Sequence, residues 1–351
     1  MMQNRLSVRC LMLGMGLGVS FLSGRSALGS ADVPLDPNAF ASLGALSGAT
    51  TYVFNTGNGS STPTVTLNGS TVLSGVISNG VAVFDFSSVT ISTGATATGS
   101  GALPLAILSR GAVSISGVVN MSASGPTAGP GGFSAPSIGG FGPGGGRQSG
   151  GGGFGGAGGA GYFGAGGGTY GDLTHVFLGG SSGGGSGTPG GGGGGALEIS
   201  ALGNISFQTG TISSNGGNDT SLATDGSGGG SGGGILLATP GQILAGSMNV
   251  TGGVGGGTLS LTGGVGGGIL SLTGGDGGGG RILLESSLFS TTDPALINVA
   301  GGSGPNALQF PTNPGSPGTF TTIGYVTPVP EPGTLALALS AGVALLARRR
   351  R

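Results

Sequence analysis

The chain's one histidine, His175, follows Asp172 by three positions in Gly171-Asp172-Leu173-Thr174-His175. A hydrolytic nucleophile needs a base and an acid that orients the base, and these two residues could supply both. Serine is so frequent here that its nearness to His175 carries no information, and a glycine-rich surrounding makes His175 read as a solvated loop residue. Paired carboxylates are the other route, since two acids can cleave a glycosidic bond. Glu198 and Glu285 occupy comparable places in two sequence repeats, with Asp219, Asp225 and Asp276 as further acids. Both glutamates alternate with apolar neighbours, so they are expected to point outward into solvent. Polysaccharide-cleaving repeat proteins present Arg, Lys and aromatic platforms, whereas this chain has no lysine and no tryptophan. Catalysis is therefore not expected.

Calcium chemistry has a similar near miss. Gly-Gly-x-Gly-x-Asp turns bind calcium through aspartate and carbonyl oxygens. Gly252-Gly253-Val254-Gly255-Gly256-Gly257 has the glycines without the acid, and Gly274-Gly275-Asp276-Gly277 places the acid elsewhere. No cofactor and no metal centre is expected; one structural calcium at Asp219 and Asp225 stays open as an alternative.

The elements that would position these residues are short strands. Val81-Ala82-Val83-Phe84-Asp85-Phe86 alternates, and brief apolar runs follow it, separated by turns such as Ser109-Arg110-Gly111 and Ser116-Gly117. No helical period of comparable strength runs between Asp32 and Pro328, so the body reads as all-β. A unit of strand, turn, strand, turn, strand recurs. Leu105-Ala106-Ile107, Gly111-Ala112-Val113 and Gly117-Val118-Val119 match Leu197-Glu198-Ile199, Gly203-Asn204-Ile205 and Gly210-Thr211-Ile212. A third copy starts at Ile235 and a fourth at Ile282. Three short strands with glycine corners form one coil of a parallel β-solenoid, in which stacking makes the core. The inward positions are then Ile199, Ile205, Ile212, Leu237, Ile243, Val250, Ile282 and Leu284. A flat sandwich of the same strands is the competing architecture.

Glycine, 90 of 351 residues, has no strict Gly-X-Y period, which excludes collagen. Residues 125–195 are about half glycine, with Phe133, Phe141, Phe154, Tyr162, Phe163, Tyr170 and Phe177 scattered through them. Such a stretch reads as a flexible insertion, because it buries too little to offset its ordering entropy. A sharper alternative packs it as extended polyglycine, with its aromatics and amides, against the body or a neighbouring chain. From Thr251 an 11-residue motif recurs at Thr262 and Thr273, as tandem duplication of a tolerated loop would leave it.

The two ends carry addresses. Arg5 and Arg9 precede an apolar run from Cys10 to Leu22, and the small residues Ala27, Gly29 and Ala31 offer cleavage sites. The only cysteine, Cys10, lies within this signal peptide, so the mature chain has no thiol or disulfide. Setting aside the signal peptide and the terminal arginine block leaves Arg110, Arg147 and Arg281 against eleven acids from Asp32 to Glu331, a net charge of −8. That argues against nucleic acid or anionic lipid as partner, since both need a basic footprint.

At the other end Val329-Pro330-Glu331-Pro332 is followed by an uncharged Ala/Leu segment from Thr334 to Ala347 and by Arg348, Arg349, Arg350 and Arg351. The prolines hold the turn extended and let Pro332 open a helix. Thr334, Leu335, Leu337, Leu339, Val343, Leu345 and Leu346 would anchor that helix in a membrane. At about 1.5 Å per residue it spans roughly 21 Å, short of the ~30 Å hydrocarbon layer, so snorkelling arginines and local thinning must complete the crossing. The arginines stay cytoplasmic by the positive-inside rule, which places the body on the far side.

This order of Pro-Glu-Pro, apolar helix and arginine block resembles the PEP-CTERM sorting tail. The resemblance covers Val329 to Arg351 and implies processing near the Pro-Glu-Pro by exosortase, an integral-membrane cysteine transpeptidase-like enzyme, with delivery to the cell surface. A plain tail anchor is the alternative. Tails of this kind also end some ice-binding proteins. Ice binding would need a flat, regular array of outward threonines, yet Thr62 to Thr66 and Thr90 to Thr98 do not recur at the coil period. From Phe84 to Glu285 the chain is similar to glycine-rich exported bacterial proteins, through Gly194 to Ser200 and Gly279 to Glu285.

The expected organisation is a signal peptide (1–31), an N-terminal β region with the first coil (32–124), a glycine-rich insertion (125–195), solenoid repeats (196–327) and the sorting tail (328–351). Signal peptide and tail each supply a helix. The expected role is structural or adhesive, at the surface or in the extracellular polysaccharide of a two-membraned bacterium. The different-class alternative is a polysaccharide-active or ligand-binding solenoid.

Overall fold

The computed structural model describes residues 34–173, 177–219, 226–255, 276–291, 296–303 and 314–324. The segments expected to be a signal peptide and a sorting tail lie outside them, and so do His175 and Asp225. Among the described residues no helix is long and apolar enough to cross a membrane, and a 3-10 turn lies at Pro37–Ala39.

The fold is all-β and built of strongly curled parallel sheets. Three ladders run through the repeats. The first aligns Val81–Phe86, Leu105–Ser109, Ala196–Ala201, the first half of Gly234–Ala245, Arg281–Thr291 and Thr319–Ile323. The second aligns Ala45–Leu46, Ser88–Ile91, Val113–Ile115, Ile205–Ser206 and the second half of Gly234–Ala245. The third runs from Thr51–Asn55 through Thr96–Ser100, Val118–Asn120, Thr211–Ser213 and Ser247–Asn249 to Ile297–Asn298.

Corner chemistry joins the first two ladders. The strand from Gly234 to Ala245 turns without breaking, and its register with the next strand shifts between Thr239 and Gln242. Pro240 lies in that interval and has no N–H to give a ladder. The Ser287 hydroxyl donates 2.8 Å bonds to the carbonyls of Pro240 and Gly241, satisfying acceptors that the bend leaves over. At one end of the stack the pairing turns antiparallel, with Thr64–Leu67 and Thr71–Ser74 on the third ladder and Val76–Ser78 on the first.

Register agrees residue by residue with the repeat alignment. Leu197 lies opposite both Leu105 and Ile235, and Ile235 opposite Ile282. All eight expected inward residues, from Ile199 to Leu284, belong to one buried cluster between the ladders, together with Phe54, Phe84 and Phe207. Fully burying one such side chain is worth about 1.5–3 kcal/mol, so stacked apolar rows hold the ladders together.

A second buried cluster lies on the opposite face of the first ladder. It contains Leu35, Val83, Leu108, Phe154, Leu173, Phe177, Leu236 and Leu283. Ala196–Ala201 is consequently buried at every position. Parallel strands covered on both sides behave in this way.

The covering layer is made of the glycine tracts, which are hydrogen-bonded rather than irregular. Their bonds repeat every three residues. Gly191 and Gly194 donate to Gly228 and Ser231, while Gly192 and Gly195 donate to Gly125 and Met121. Gly180 and Gly183 donate to Gly194 and Gly191, Gly230 and Gly233 to Gly217 and Ser214, and Gly277 and Gly280 to Gly253 and Val250. A polyproline-II-type chain has three residues per turn and no internal hydrogen bonds, so its amides and carbonyls radiate to neighbours. That matches the observed period. A Cβ on Gly193, Gly191 or Gly230 would stand under 3.0 Å from the carbonyl oxygen of Gly180, Gly217 or Gly192. Only glycine lets these backbones meet. The flexible-insertion expectation is thereby corrected for the described residues of 125–195: shared backbone bonds add to the few buried hydrophobic side chains of the stretch, Phe154, Leu173 and Phe177.

Candidate functional site

The structure moves the paired glutamates from solvent into the interior. Glu198 is 0% exposed and Glu285 2%. Alternation does point both away from the inner core, as expected. The side they reach, however, is the covered face of the first ladder, roofed by Leu35, Phe154, Leu173 and Phe177. An outward position on this face is a buried one.

Glu198 is tied to the chain's N-terminal strap. One carboxylate oxygen accepts the Leu35 amide at 2.7 Å and the Ser200 hydroxyl at 2.6 Å. The other has no hydrogen-bond partner among the described residues. Burial lifts the Glu198 carboxyl to about 7, against the bonds from Ser200 and Leu35, and the charge of Glu285 adds to the rise.

A row across the same face links Asp85, Leu108, Ser200, Ala238, Glu285 and Ile323, each opposite the next. Asp85 is 2% exposed, and Arg110 donates to its Oδ2 at 3.0 Å. Burial pushes the Asp85 carboxyl up while Arg110 pulls it back. Arg110 also donates to the Phe40 carbonyl, and the Leu43 amide donates to the Asp85 carbonyl at 2.7 Å. These contacts fasten residues 34–43 over the sheet edge. Asp85 and Arg110 were not singled out from sequence. The readable signal was an acid at an outward place in the repeat, matching Ser200 and Glu285 in the alignment.

Remaining acids bond the glycine layer. Asp276 Oδ1 accepts the Gly255 amide at 2.9 Å, and Asp219 Oδ2 accepts the Ser227 amide at 3.1 Å. Asp172 lies near enough to Arg281 to act on it electrostatically. Among the described residues no three His, Cys, Asp or Glu side chains gather as a metal site. Glu198 and Glu285, enclosed between sheet and glycine layer, are out of reach of a polysaccharide chain.

The scattered aromatics separate into two groups. Phe154 and Phe177 are fully buried and fasten the glycine layer to the sheet. Tyr170 stacks 4.9 Å from Phe154 and donates to the Gly179 carbonyl at 2.7 Å, while Arg281 sits 5.5 Å over the Phe154 ring. Phe141, Tyr162 and Phe163 are exposed.

On the outward side of the third ladder threonine shares its rows with other residues. Thr51 lies opposite Thr96, and the row continues through Val118 to Thr211 and Ser247. Beside it run Val53, Thr98, Asn120, Ser213, Asn249 and Asn298. Val118 and Ser247 interrupt the first of these rows, so threonine does not recur at every coil, as expected. The face has no charged residue, and its rows advance about 4.8 Å per strand.

The residues expected to form the sorting tail, from Val329, Pro330, Glu331 and Pro332 through the expected anchor, Thr334 to Leu346, to Arg348, Arg349, Arg350 and Arg351, all lie outside the described residues. No family model, no curated protein and no solved structure matches this chain.

Proposed function

We propose that this chain is an exported cell-surface or matrix protein with a structural or adhesive role, delivered through its C-terminal Pro-Glu-Pro tail. The body is read as a β-solenoid whose three sides are the three parallel ladders, stiffened along one side by the polyglycine layer. The observation that carries the reading is the enclosed state of the acids. Glu198, Asp219 and Asp276 accept backbone amides and so tie separate stretches of chain together, which suits a scaffold. Net acidity and the missing lysines support solubility among polysaccharides rather than nucleic-acid binding. An exosortase-type enzyme would be the processing partner, and no cofactor is required.

The test is fractionation with intact-mass measurement in the native host, comparing wild type with Pro330, Glu331 and Pro332 all replaced by alanine. Wild type found outside the cell without its arginine block, with the variant held in the inner membrane, is the expected result. Both proteins at full length in the membrane would make the tail a plain anchor. A second reading, a ligand-binding solenoid that includes ice among its ligands, is favoured by the Thr51–Thr96–Thr211 row. Absence of thermal hysteresis in the purified protein removes ice from it.

A further inference from the structure

An open groove of about 610 Å³ lies at the outer side of the glycine layer. Ile138, Arg147, Gln148 and Phe163 line it over walls of glycine and alanine. Ile138 is 77% exposed and Phe163 44%, unlike the buried aromatics that fasten the layer. Phe163 is held in place: its amide donates to the buried Ser149 hydroxyl at 2.7 Å, and its ring packs edge-on to Tyr162 at 4.8 Å.

Charge singles out the same place. Of the three arginines in the body, Arg110 pairs with Asp85 and Arg281 lies over Phe154. Arg147 is exposed and forms no salt bridge among the described residues. Beside it Gln148 has φ of 42°, and it is the one residue other than glycine and asparagine with positive φ among those described. Such a conformation costs of order 1–3 kcal/mol and clusters at ligand clamps. A hydrogen-bonded turn, closed by the Gly150 amide donating to the Arg147 carbonyl at 2.7 Å, holds the Arg147-Gln148 pair at the groove.

We infer that this groove binds a carboxylate-bearing sugar chain, of the uronic-acid type. An exposed ring offers an apolar face to a pyranose, glycine backbone offers amides and carbonyls to hydroxyls, and a guanidinium fork matches one carboxylate in bidentate fashion. The net charge of −8 opposes dense polyanions, so a sparsely charged glycan fits better than a polyphosphate. The inference rests on the proposed matrix role and names the partner for it.

The experiment is calorimetric titration of the purified full chain with a galacturonic acid tetramer, its neutral methyl ester and tetraglutamate. Saturable binding of the tetramer, at least ten-fold tighter than the ester or the peptide, is expected. Arg147→Gln should weaken it about ten-fold or more, as for loss of a charged bond, and bring it level with the ester. Arg147→Lys should recover only part, and Phe163→Ala should weaken tetramer and ester alike. Melting curves matching wild type certify that each variant is folded. No saturable binding, equal binding of tetraglutamate, or an unchanged affinity in folded Arg147→Gln and Phe163→Ala would each overturn the inference. The titration uses purified protein, so a failed sorting experiment leaves it standing, and a failed titration leaves sorting standing.

Discussion

Replacing Glu198 by glutamine isolates the cost of a buried charge. A carboxyl raised from 4.5 to about 7 holds its proton more tightly when folded than when unfolded, so folding takes up a proton in that interval. Wild-type stability therefore falls as pH rises from 4.5 towards 7, and stays level above it. At about 1.4 kcal/mol per pH unit the total is about 3 kcal/mol, roughly 5–10 °C in Tm for a domain of this size. Glutamine keeps the oxygen that accepts from Leu35 and Ser200 and cannot ionise. Its amide nitrogen takes the place of the unpartnered oxygen, which adds a penalty of about 1–3 kcal/mol that does not vary with pH. The slope is thus the diagnostic quantity. Calorimetric melting from pH 4 to 8 should show the Glu198→Gln minus wild-type difference in Tm rising between 4.5 and 7 and constant above. Parallel profiles for the two proteins would refute the enclosed carboxylate and the roof of Leu35, Phe154 and Phe177 that encloses it.

The glycine layer and the Asp85 pair give two further tests. Gly193→Ala should cost about 1–3 kcal/mol in urea unfolding, because its Cβ meets the Gly180 carbonyl. Gly168→Ala, where a Cβ meets nothing within 4 Å, should stay within about 0.5 kcal/mol; equal effects at the two sites would argue against close backbone packing. Arg110→Gln removes the cation that offsets the buried Asp85 charge. It should destabilise by about 1–2 kcal/mol at pH 7, and by less as the pH is lowered and the carboxyl, raised by burial, takes up its proton, measured by unfolding across an acid-to-neutral pH series.

The strand repeat was legible because its causes are local. A pleated strand alternates its side chains every residue, and a glycine corner ends it, so aligning Leu105, Leu197, Ile235 and Ile282 by sequence already placed them opposite one another. Ile199 and Leu237 could be assigned to the inner core on the same ground. The addresses proposed for the two ends likewise rest on local charge and hydropathy, without need of partners distant in the chain.

Whether an outward residue meets water is decided by what arrives from elsewhere. Glu198 is roofed by Leu35, 163 positions earlier, and by Phe154 and Phe177 from the glycine-rich stretch. Nothing beside Glu198 in the chain announces them. The polyglycine order is hidden for a related reason: a glycine tract has no side-chain pattern to read, and its hydrogen bonds exist only once Gly192, Gly217 and Gly230 lie side by side. Phe154 and Phe163 stand in near-identical glycine surroundings in sequence, yet one is buried and the other lines a groove. Local propensity thus determined which residues form strands and which side of a strand they take, while long-range contacts, of the glycine backbone and of Leu35, Phe154 and Phe177, decided which of those sides water can reach.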